Sequence, residues 1–351
     1  MRRALAVPLL IALTRTALAC APAPPPGHRV NVVEESAAII WEPASKTEHF
    51  IRRATFSGDA AHFGFLVPTP TEPRITAVGD TLFDYLDAAT AQKIVHRKTT
   101  GVDWTPLLLA MFVAKRNDEI TMTAAPPLRV LSTQKVAGYE AAVLDARDAG
   151  ALRDWLQQHD YGSTPDLEQW LAAYVAQGWK ISAFKIDKDA DADATTSAVK
   201  MSFTTERPFF PYREPASQRD PSDASLERVL RIWFLGPERV SGTIGAQAAW
   251  PASTDWSNRL TADQRMQLDV RTHVELPATT RLTAFTDSVT LRPGVDDLFF
   301  ARDADQRVVV PPPWVEEEID VTNVPLDLLL VAFALVYIVV RLIVRSSAAR
   351  R

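Results

Sequence analysis

The feature that most restricts the fold is an apolar stretch near the carboxyl end of the chain. Residues 326–344 run LDLLLVAFALVYIVVRLIV, and only Asp327 and Arg341 among them are charged. As an α-helix this stretch would measure about 28 Å, close to the thickness of a bilayer's hydrocarbon core. Because its centre has no polar face, we predict a transmembrane helix here; the alternative is a buried core helix.

The amino end has the pattern of a secretory signal peptide. Two arginines precede a short apolar segment, and the small residues Ala17-Leu18-Ala19 stand immediately before Cys20. We therefore predict that residues 1–19 are a signal peptide, with a buried amino-terminal helix as the alternative. Cys20 would then be the mature amino terminus or a site of lipid attachment, and an amino-terminal nucleophile is a third possibility.

Basic residues follow the apolar stretch and predict an orientation. These positive-inside determinants are Arg341, Arg345, Arg350 and Arg351. Basic residues next to a membrane span favour the cytoplasmic side. We therefore expect a single-pass protein of the cytoplasmic (inner) membrane, with the bulk of the chain periplasmic and the carboxyl terminus cytoplasmic.

The charge of the chain is unevenly distributed. The formal net charge is −5, but residues 1–19 hold three arginines and residues 326–351 hold four arginines and one aspartate. Residues 20–325 therefore carry a net charge of −11. An acidic body of this kind argues against nucleic acid as a partner and favours cations or a basic envelope protein.

Cysteine content and the absence of catalytic motifs limit the possible chemistry. A single cysteine can form neither an intramolecular disulfide nor a cysteine-based metal cluster. The strings typical of serine hydrolases, zinc proteases and nucleotide-binding loops are also absent. We therefore predict no cofactor and no metal site, and an enzyme becomes less favoured without being excluded.

Apolar periodicity predicts an α+β fold class: a β-rich exported body with a helical insert, plus one C-terminal transmembrane helix. Alternating segments predict strands, among them 29–42, 47–56, 63–67, 179–187, 197–205, 228–235, 267–276 and 281–287. Apolar residues at helical spacing predict helices over 80–91, 148–159 and 164–178. Asp80 and Thr164 are the expected N-caps of the first and third helices.

Proline-rich and charged segments predict the domain organisation. The predicted segments, in order, are a signal peptide (1–19), a Pro-rich leader (20–28), an α+β domain (29–205), a Pro-rich linker (206–223), a β-rich subdomain (224–310), an acidic stalk (311–325), the transmembrane helix (326–344) and a basic cytoplasmic tail (345–351).

Five segments of the exported body resemble a known bacterial family. They are CAPAPPPG at 20–27, KTEHFIRRATF at 46–56, AHFGFLVPTPT at 61–71, VAGYEAAVLDA at 136–146 and YVAQGWKISAFKID at 174–187. They are similar to the family catalogued as domain of unknown function 2330. The resemblance implies an exported, membrane-anchored protein, and it supplies no catalytic residues and no cofactor.

The densest group of polar residues is Glu48, His49, Arg52, Arg53 and, further on, His62. In a strand, Glu48 and Arg52 would share one face, and His49 and Arg53 the other. Arg52 would then lie on the apolar face, where a guanidinium needs a carboxylate partner. A structural ion pair, to Glu48 or to another acid, is one interpretation, and an anion or substrate site is the other.

A second acidic group lies in the segment IDKDADADA, where Asp187, Asp189, Asp191 and Asp193 alternate with other residues. A helix-loop-helix calcium loop requires glycine at its sixth position and glutamate at its twelfth, and this segment has neither. We interpret it as a solvated hairpin tip, with a calcium site as the alternative. The apolar run at 106–114 is too short to span a membrane and predicts a buried element or an interfacial segment.

Two functions remain open from the sequence. The first is a membrane-tethered extracytoplasmic domain that binds or scaffolds an envelope component. The second is an envelope hydrolase that uses groups such as Glu48, His49 or His62. An acid and a histidine converging in a deep pocket would favour the hydrolase, whereas an exposed patch would favour the scaffold.

Overall fold

Two long strands, Val30–Glu42 (β2) and Thr47–Gly58 (β3), form an antiparallel hairpin that organises the main body of the protein. Both are rich in apolar and β-branched residues, which favour strands. Lys46 in the tight turn between them has a φ of 50°. A bulge between Val32 and Glu34 shifts the register of the hairpin.

The computed structural model describes residues 21–103, 139–146, 148–187, 194–219, 228–289, 292, 294–323 and 326–348. The chain divides into two compact units: residues 1–91 with 132–311, and residues 92–131 with 312–351. The predicted signal peptide, Cys20, the apolar run at 106–114, Arg350 and Arg351 lie outside the described residues, as do Asp189, Asp191 and Asp193.

An eight-stranded sheet forms the centre of the first unit. Its order is β15-β16-β12-β2-β3-β10-β5, and β9 also pairs with β3. The additional strands are Arg74–Ala77 (β5), Ala194–Thr195 (β9), Val199–Thr204 (β10), Val229–Gly236 (β12), Ser253–Arg259 (β15) and Arg281–Asp287 (β16). Strands from both sides of residues 206–223 therefore share one sheet, so the compact unit continues across the predicted linker.

Two four-stranded sheets accompany the central sheet. One has the order β1-β4-β8-β7, formed by Ala21–Ala23 (β1), His62–Thr69 (β4), Glu140–Leu144 (β7) and Lys180–Asp187 (β8). The other has the order β11-β17-β13-β14, formed by Phe209–Phe210 (β11), Val240–Ile244 (β13), Ala248–Ala249 (β14) and Leu298–Arg302 (β17). The largest apolar core takes buried side chains from all three sheets.

Four helices belong to the first unit: Thr81–Thr90 (α1), Ala149–Gln158 (α2), Pro165–Val175 (α3) and Ala262–Thr272 (α4). Helices α2 and α3 share a core with β1, β4 and β8, which includes Trp170 and Tyr174. Helices α1 and α4 cover the opposite face of the central sheet around Trp233. The β-rich body is thus closed by short amphipathic helices.

Capping contacts define the starts of two helices, and two predictions are corrected. Thr164 caps α3 by accepting a hydrogen bond from the backbone N–H of Leu167. Asp80 does not cap α1; its Oδ1 accepts from the backbone N–H of Ala198 at 2.8 Å. The strand predicted over 267–276 is wrong, because helix α4 occupies 262–272 behind a capping box formed by Thr261 and Gln264.

The second unit contains a pair of parallel strands and a helix. Ile94–Asp103 (β6) pairs with Trp314–Asn323 (β18), which occupies most of the predicted acidic stalk. Helix α5 spans Leu326–Ala348.

The predicted C-terminal transmembrane helix is the main correction to the expected fold class. Among the described residues, no helix is both long and apolar enough to cross a bilayer. The uncharged part of α5 between Asp327 and Arg341 covers 13 residues, or about 20 Å, against about 30 Å for a hydrocarbon core. The described fold is therefore β-rich, with short helices.

Candidate functional site

Strand β3 directs its polar residues to two opposite faces of the central sheet. Glu48 and Arg52 lie on the face of the main core, and His49 and Arg53 lie on the face covered by α1 and α4. This separation follows from the two-residue period of a strand. Glu48 and His49 therefore cannot act together on one substrate.

Arg52 forms a buried ion pair with Glu35 of β2. Its Nε and Nη2 donate to Glu35 Oε1 at 3.0 and 2.6 Å. The guanidinium also lies 3.9 Å from the ring centroid of Phe65, a favourable cation–π contact. The acid that balances Arg52 is Glu35 and not Glu48.

The ion pair extends into a buried network. Arg292 Nη1 lies 3.9 Å from Glu35 Oε2 and 3.7 Å from Glu214 Oε1, and Arg228 donates to both carboxylate oxygens of Glu214. Because these acids and bases face one another inside the body, we assign the network a structural role. Within this network Arg52 donates its hydrogen bonds to Glu35 and not to a ligand.

Glu48 occupies an apolar environment. Its side chain is fully buried, and Oε2 accepts a hydrogen bond from the backbone N–H of Phe209 at 2.9 Å. Among the described residues, its Oε1 has no hydrogen-bond partner. Burial raises the pKa of the Glu48 carboxyl well above its usual value, although the Phe209 N–H opposes the shift. Burial in the core therefore disfavours the ionised form of Glu48.

On the other face, His49 joins a serine and a glutamate from the neighbouring strands. His49 Nδ1 lies 2.8 Å from Ser202 Oγ of β10, and Nε2 lies 3.3 Å from Glu42 Oε1 at the end of β2. Burial lowers the pKa of His49, and the positive charges of Lys200 and Arg74 act in the same direction, against the effect of Glu42. The imidazole is therefore neutral at neutral pH.

Segment 273–280, which follows α4, forms one wall beside His49. The helix ends at His273, whose φ of 53° is left-handed. Lys200 Nζ donates to the carbonyl oxygens of Thr272 and His273 at 2.6 and 3.3 Å, which suits the negative end of a helix dipole. Asp269 accepts from the backbone N–H of Leu276 at 2.9 Å. These bonds fix the wall in place.

A cleft lies between this wall and the ends of β2 and β12. We call it the acidic cleft and define it by Trp41, Glu42, Pro43, Pro237, Glu275 and Leu276. Its volume is about 300 Å³. A more open depression shares Glu42, Glu275 and Leu276 with it and reaches His49. The acidic cleft thus combines apolar walls with two carboxylates.

Arg53 and His62 do not line the acidic cleft or the open depression. Arg53 Nη1 lies 3.4 Å from Asp84 Oδ1 of α1, and its guanidinium is 5.1 Å from the ring centroid of Phe83. His62 is exposed at the first position of β4. Of the predicted positive-inside determinants, Arg341 and Arg345 are exposed on α5. His49 is the one member of the predicted polar group that lines the open depression.

Sequence reasoning missed Ser202, Glu42 and Glu275. Ser202 is 153 residues from His49, so only the pairing of β10 with β3 brings them together. Glu42 gave a weak signal, because it is the last residue of the predicted strand 29–42 and directly precedes Pro43. Glu275 was hidden by the incorrect strand prediction for 267–276.

The described residues were compared with the side-chain arrangement that a metal site requires. Among those residues, no group of three or more His, Cys, Asp or Glu side chains is arranged to hold a metal ion. The fold and cleft define a β-sheet protein whose candidate site is an open surface cleft.

The chain belongs to the family described as "Uncharacterized protein conserved in bacteria (DUF2330)", whose model matches residues 15–271. This confirms the family resemblance seen in the sequence. No curated protein matches the chain. Among solved structures, the crystal structure of baculovirus P35 aligns with 82% of this chain and 98% of its own, at 6% identity and a TM-score of 0.35.

Proposed function

We propose that this protein is an exported binding protein of the bacterial cell envelope, and that its ligand occupies the acidic cleft. The signal-peptide pattern at 1–19 supports export, and the bacterial family supports the setting. An extracytoplasmic location for the body is part of this proposal. A protein partner in the envelope is compatible with it.

The observation that carries the proposal is the composition of the cleft. Trp41, Leu276 and two prolines supply apolar surface, and Glu42 and Glu275 supply the polar groups. Apolar walls with a few polar groups are typical of ligand sites, and about 300 Å³ is the lower end of their usual volume. The walls belong to strand ends and a hydrogen-bonded segment, so the cleft is largely preformed.

A plug in the cleft tests the proposal. The full-length protein is screened by thermal unfolding against amino acids, sugars, short peptides and polyamines, and hits are titrated by calorimetry. Ala44→Trp should fill the cleft and abolish binding, since Ala44 is exposed on its rim. Ala246→Trp, in an exposed turn outside the cleft lining, is the matched control. Equal affinity of both variants for the hits would contradict the proposal.

A second candidate function, hydrolysis, is favoured by the chain Glu42–His49–Ser202. A neutral histidine hydrogen-bonded to a serine and to a carboxylate resembles the arrangement that activates a serine nucleophile. A serine-reactive fluorophosphonate tests it directly. Labelling that is lost in Ser202→Ala and kept in Ser241→Ala would support the hydrolase, and an unlabelled Ser202 would exclude this mechanism.

A further inference from the structure

We propose that the acidic cleft selects ligands in which an apolar body carries a cationic amine or guanidine group. This inference rests on the proposed binding function and adds the charge and chemical class of the ligand. It is carried by the two carboxylates of the cleft, by the partners of the nearby cations and by the apolar walls.

Glu275 is the more available carboxylate. Its side chain is exposed and lines both the acidic cleft and the adjoining depression. Within the described part of the chain, Glu275 forms no ion pair or side-chain hydrogen bond. Its negative charge is therefore free to meet a ligand cation.

Glu42 supplies the second negative charge. Its Oε2 accepts a hydrogen bond from Ser45 Oγ at 2.9 Å, and its Oε1 faces His49 Nε2. Since His49 is neutral at neutral pH, neither of these contacts places a positive charge against Glu42. The side chain retains 41% exposure, so its oxygens can still be approached from the cleft.

Two cations near the cleft already have other partners. Lys46, in the same turn as Glu42, lies with its Nζ 2.6 Å from Glu206 Oε2. Lys200 is buried and donates to the end of α4. The described residues that line the acidic cleft include no lysine or arginine. The lining thus carries two negative charges and no positive one.

The apolar walls of the cleft favour a ligand whose uncharged part is apolar. Trp41 is half-buried, and the rings of Pro43 and Pro237 and the side chain of Leu276 line the same space. An indole face attracts cations as well as apolar groups. The net charge of −11 on residues 20–325 would raise the local concentration of cationic ligands. A small hydrated metal ion would leave these walls unused.

A matched series of ligands tests the inference on the full-length protein. Phenethylamine, phenethyl alcohol and 3-phenylpropionate share an aromatic body and differ in charge. By calorimetry at low salt, we expect the amine to bind at least about 10-fold more tightly than the carboxylate, with the alcohol between them. Glu275→Gln should weaken the amine about 3- to 10-fold and leave the alcohol unchanged. Glu72→Gln, an exposed charge change outside the cleft lining, should have no effect.

The outcomes separate this inference from the proposed function. Equal affinity for all three compounds, or tighter binding of the carboxylate, would overturn the ligand class. If that binding still disappeared in Ala44→Trp, the binding function would stand. Absence of binding heat from all three compounds at millimolar concentration would also overturn the inference. In that case the binding function would stand only if the hits from the screen lose affinity for Ala44→Trp.

Discussion

Arg52 and Glu35 form a buried ion pair across the β2–β3 hairpin, with Nη2 of the arginine 2.6 Å from Oε1 of the glutamate. Their side chains are 7% and 6% exposed. Removing one member of such a pair leaves the other charge in a medium that solvates it poorly. The pair is therefore expected to matter more for folding than an exposed ion pair would.

Arg52→Met should lower the free energy of unfolding by about 3 kcal/mol, because Glu35 loses its main partner. The double variant Arg52→Met, Glu35→Leu should recover much of this loss. Urea denaturation of both variants measures the effect. Arg302→Met, which breaks an exposed pair with Glu238, is the control and should cost less than about 1 kcal/mol. A double variant no more stable than the single one would contradict the assignment.

Glu48→Gln should stabilise the protein at pH 8 and have less effect at pH 5. A raised carboxyl pKa in the folded state gives stability that is complete below the unfolded pKa of about 4.3 and is lost as the pH rises through the folded pKa. Glutamine keeps an oxygen for the Phe209 N–H and has no charge to desolvate. Urea midpoints at the two pH values measure this, and a destabilised Gln variant at pH 8 would contradict it.

Asp297 provides a second pH-dependent group. It is buried, and desolvation raises its pKa to about 7 despite the opposing charge of Arg213 and the hydrogen bond from Tyr174 Oη at 2.8 Å. Its contribution to stability is complete below about pH 3.9 and is lost as the pH rises through about 7. Asp297→Asn should therefore lose less stability than the wild type between pH 5 and pH 8, by at least about 1 kcal/mol. The free energy of unfolding is measured by urea denaturation at both pH values. An equal loss in the variant and the wild type would argue against this prediction.

The imidazole of His49 should titrate below its usual pKa of 6.5. Since Glu42 raises this pKa and Arg74 lowers it, Glu42→Gln should move the midpoint further down and Arg74→Gln should move it up. Histidine NMR signals followed from pH 4 to pH 8 report the midpoint. A depressed histidine pKa also means that stability present above pH 6.5 is lost as the pH falls through the folded value. Shifts of the opposite sign would refute the Glu42–His49 contact.

Gly162 is predicted to be intolerant of substitution. A Cβ at this position would lie 1.6 Å from the backbone oxygen of Pro24, next to β1. Gly162→Ala should therefore destabilise the protein by about 1–3 kcal/mol, as overpacking does. Gly79→Ala is the control, because its Cβ would meet only Thr81 Oγ1 at 3.7 Å. Thermal unfolding compares them, and equal midpoints would show that β1 can move away.

Local sequence predicted the elements whose signals are short-range. The alternation in residues 47–56 predicts which side chains of β3 share a face, and Thr164-Pro165 predicts the start of α3. The same kind of signal was present but overlooked at Thr261 and Gln264, where the capping box starts α4. The transmembrane helix predicted at 326–344 is wrong because the apolar composition of this segment does not take account of the charges at Asp327 and Arg341.

By itself, the sequence determined the β-rich character, the family and the need of Arg52 for an acid. Only the tertiary structure decided that this acid is Glu35, that Ser202 meets His49, and that Glu42 and Glu275 line one cleft. The physical reason is that strand register and the pairing of distant strands depend on packing over the whole body. A local pattern places a side chain on a face, and only the assembled sheet places a partner beside it.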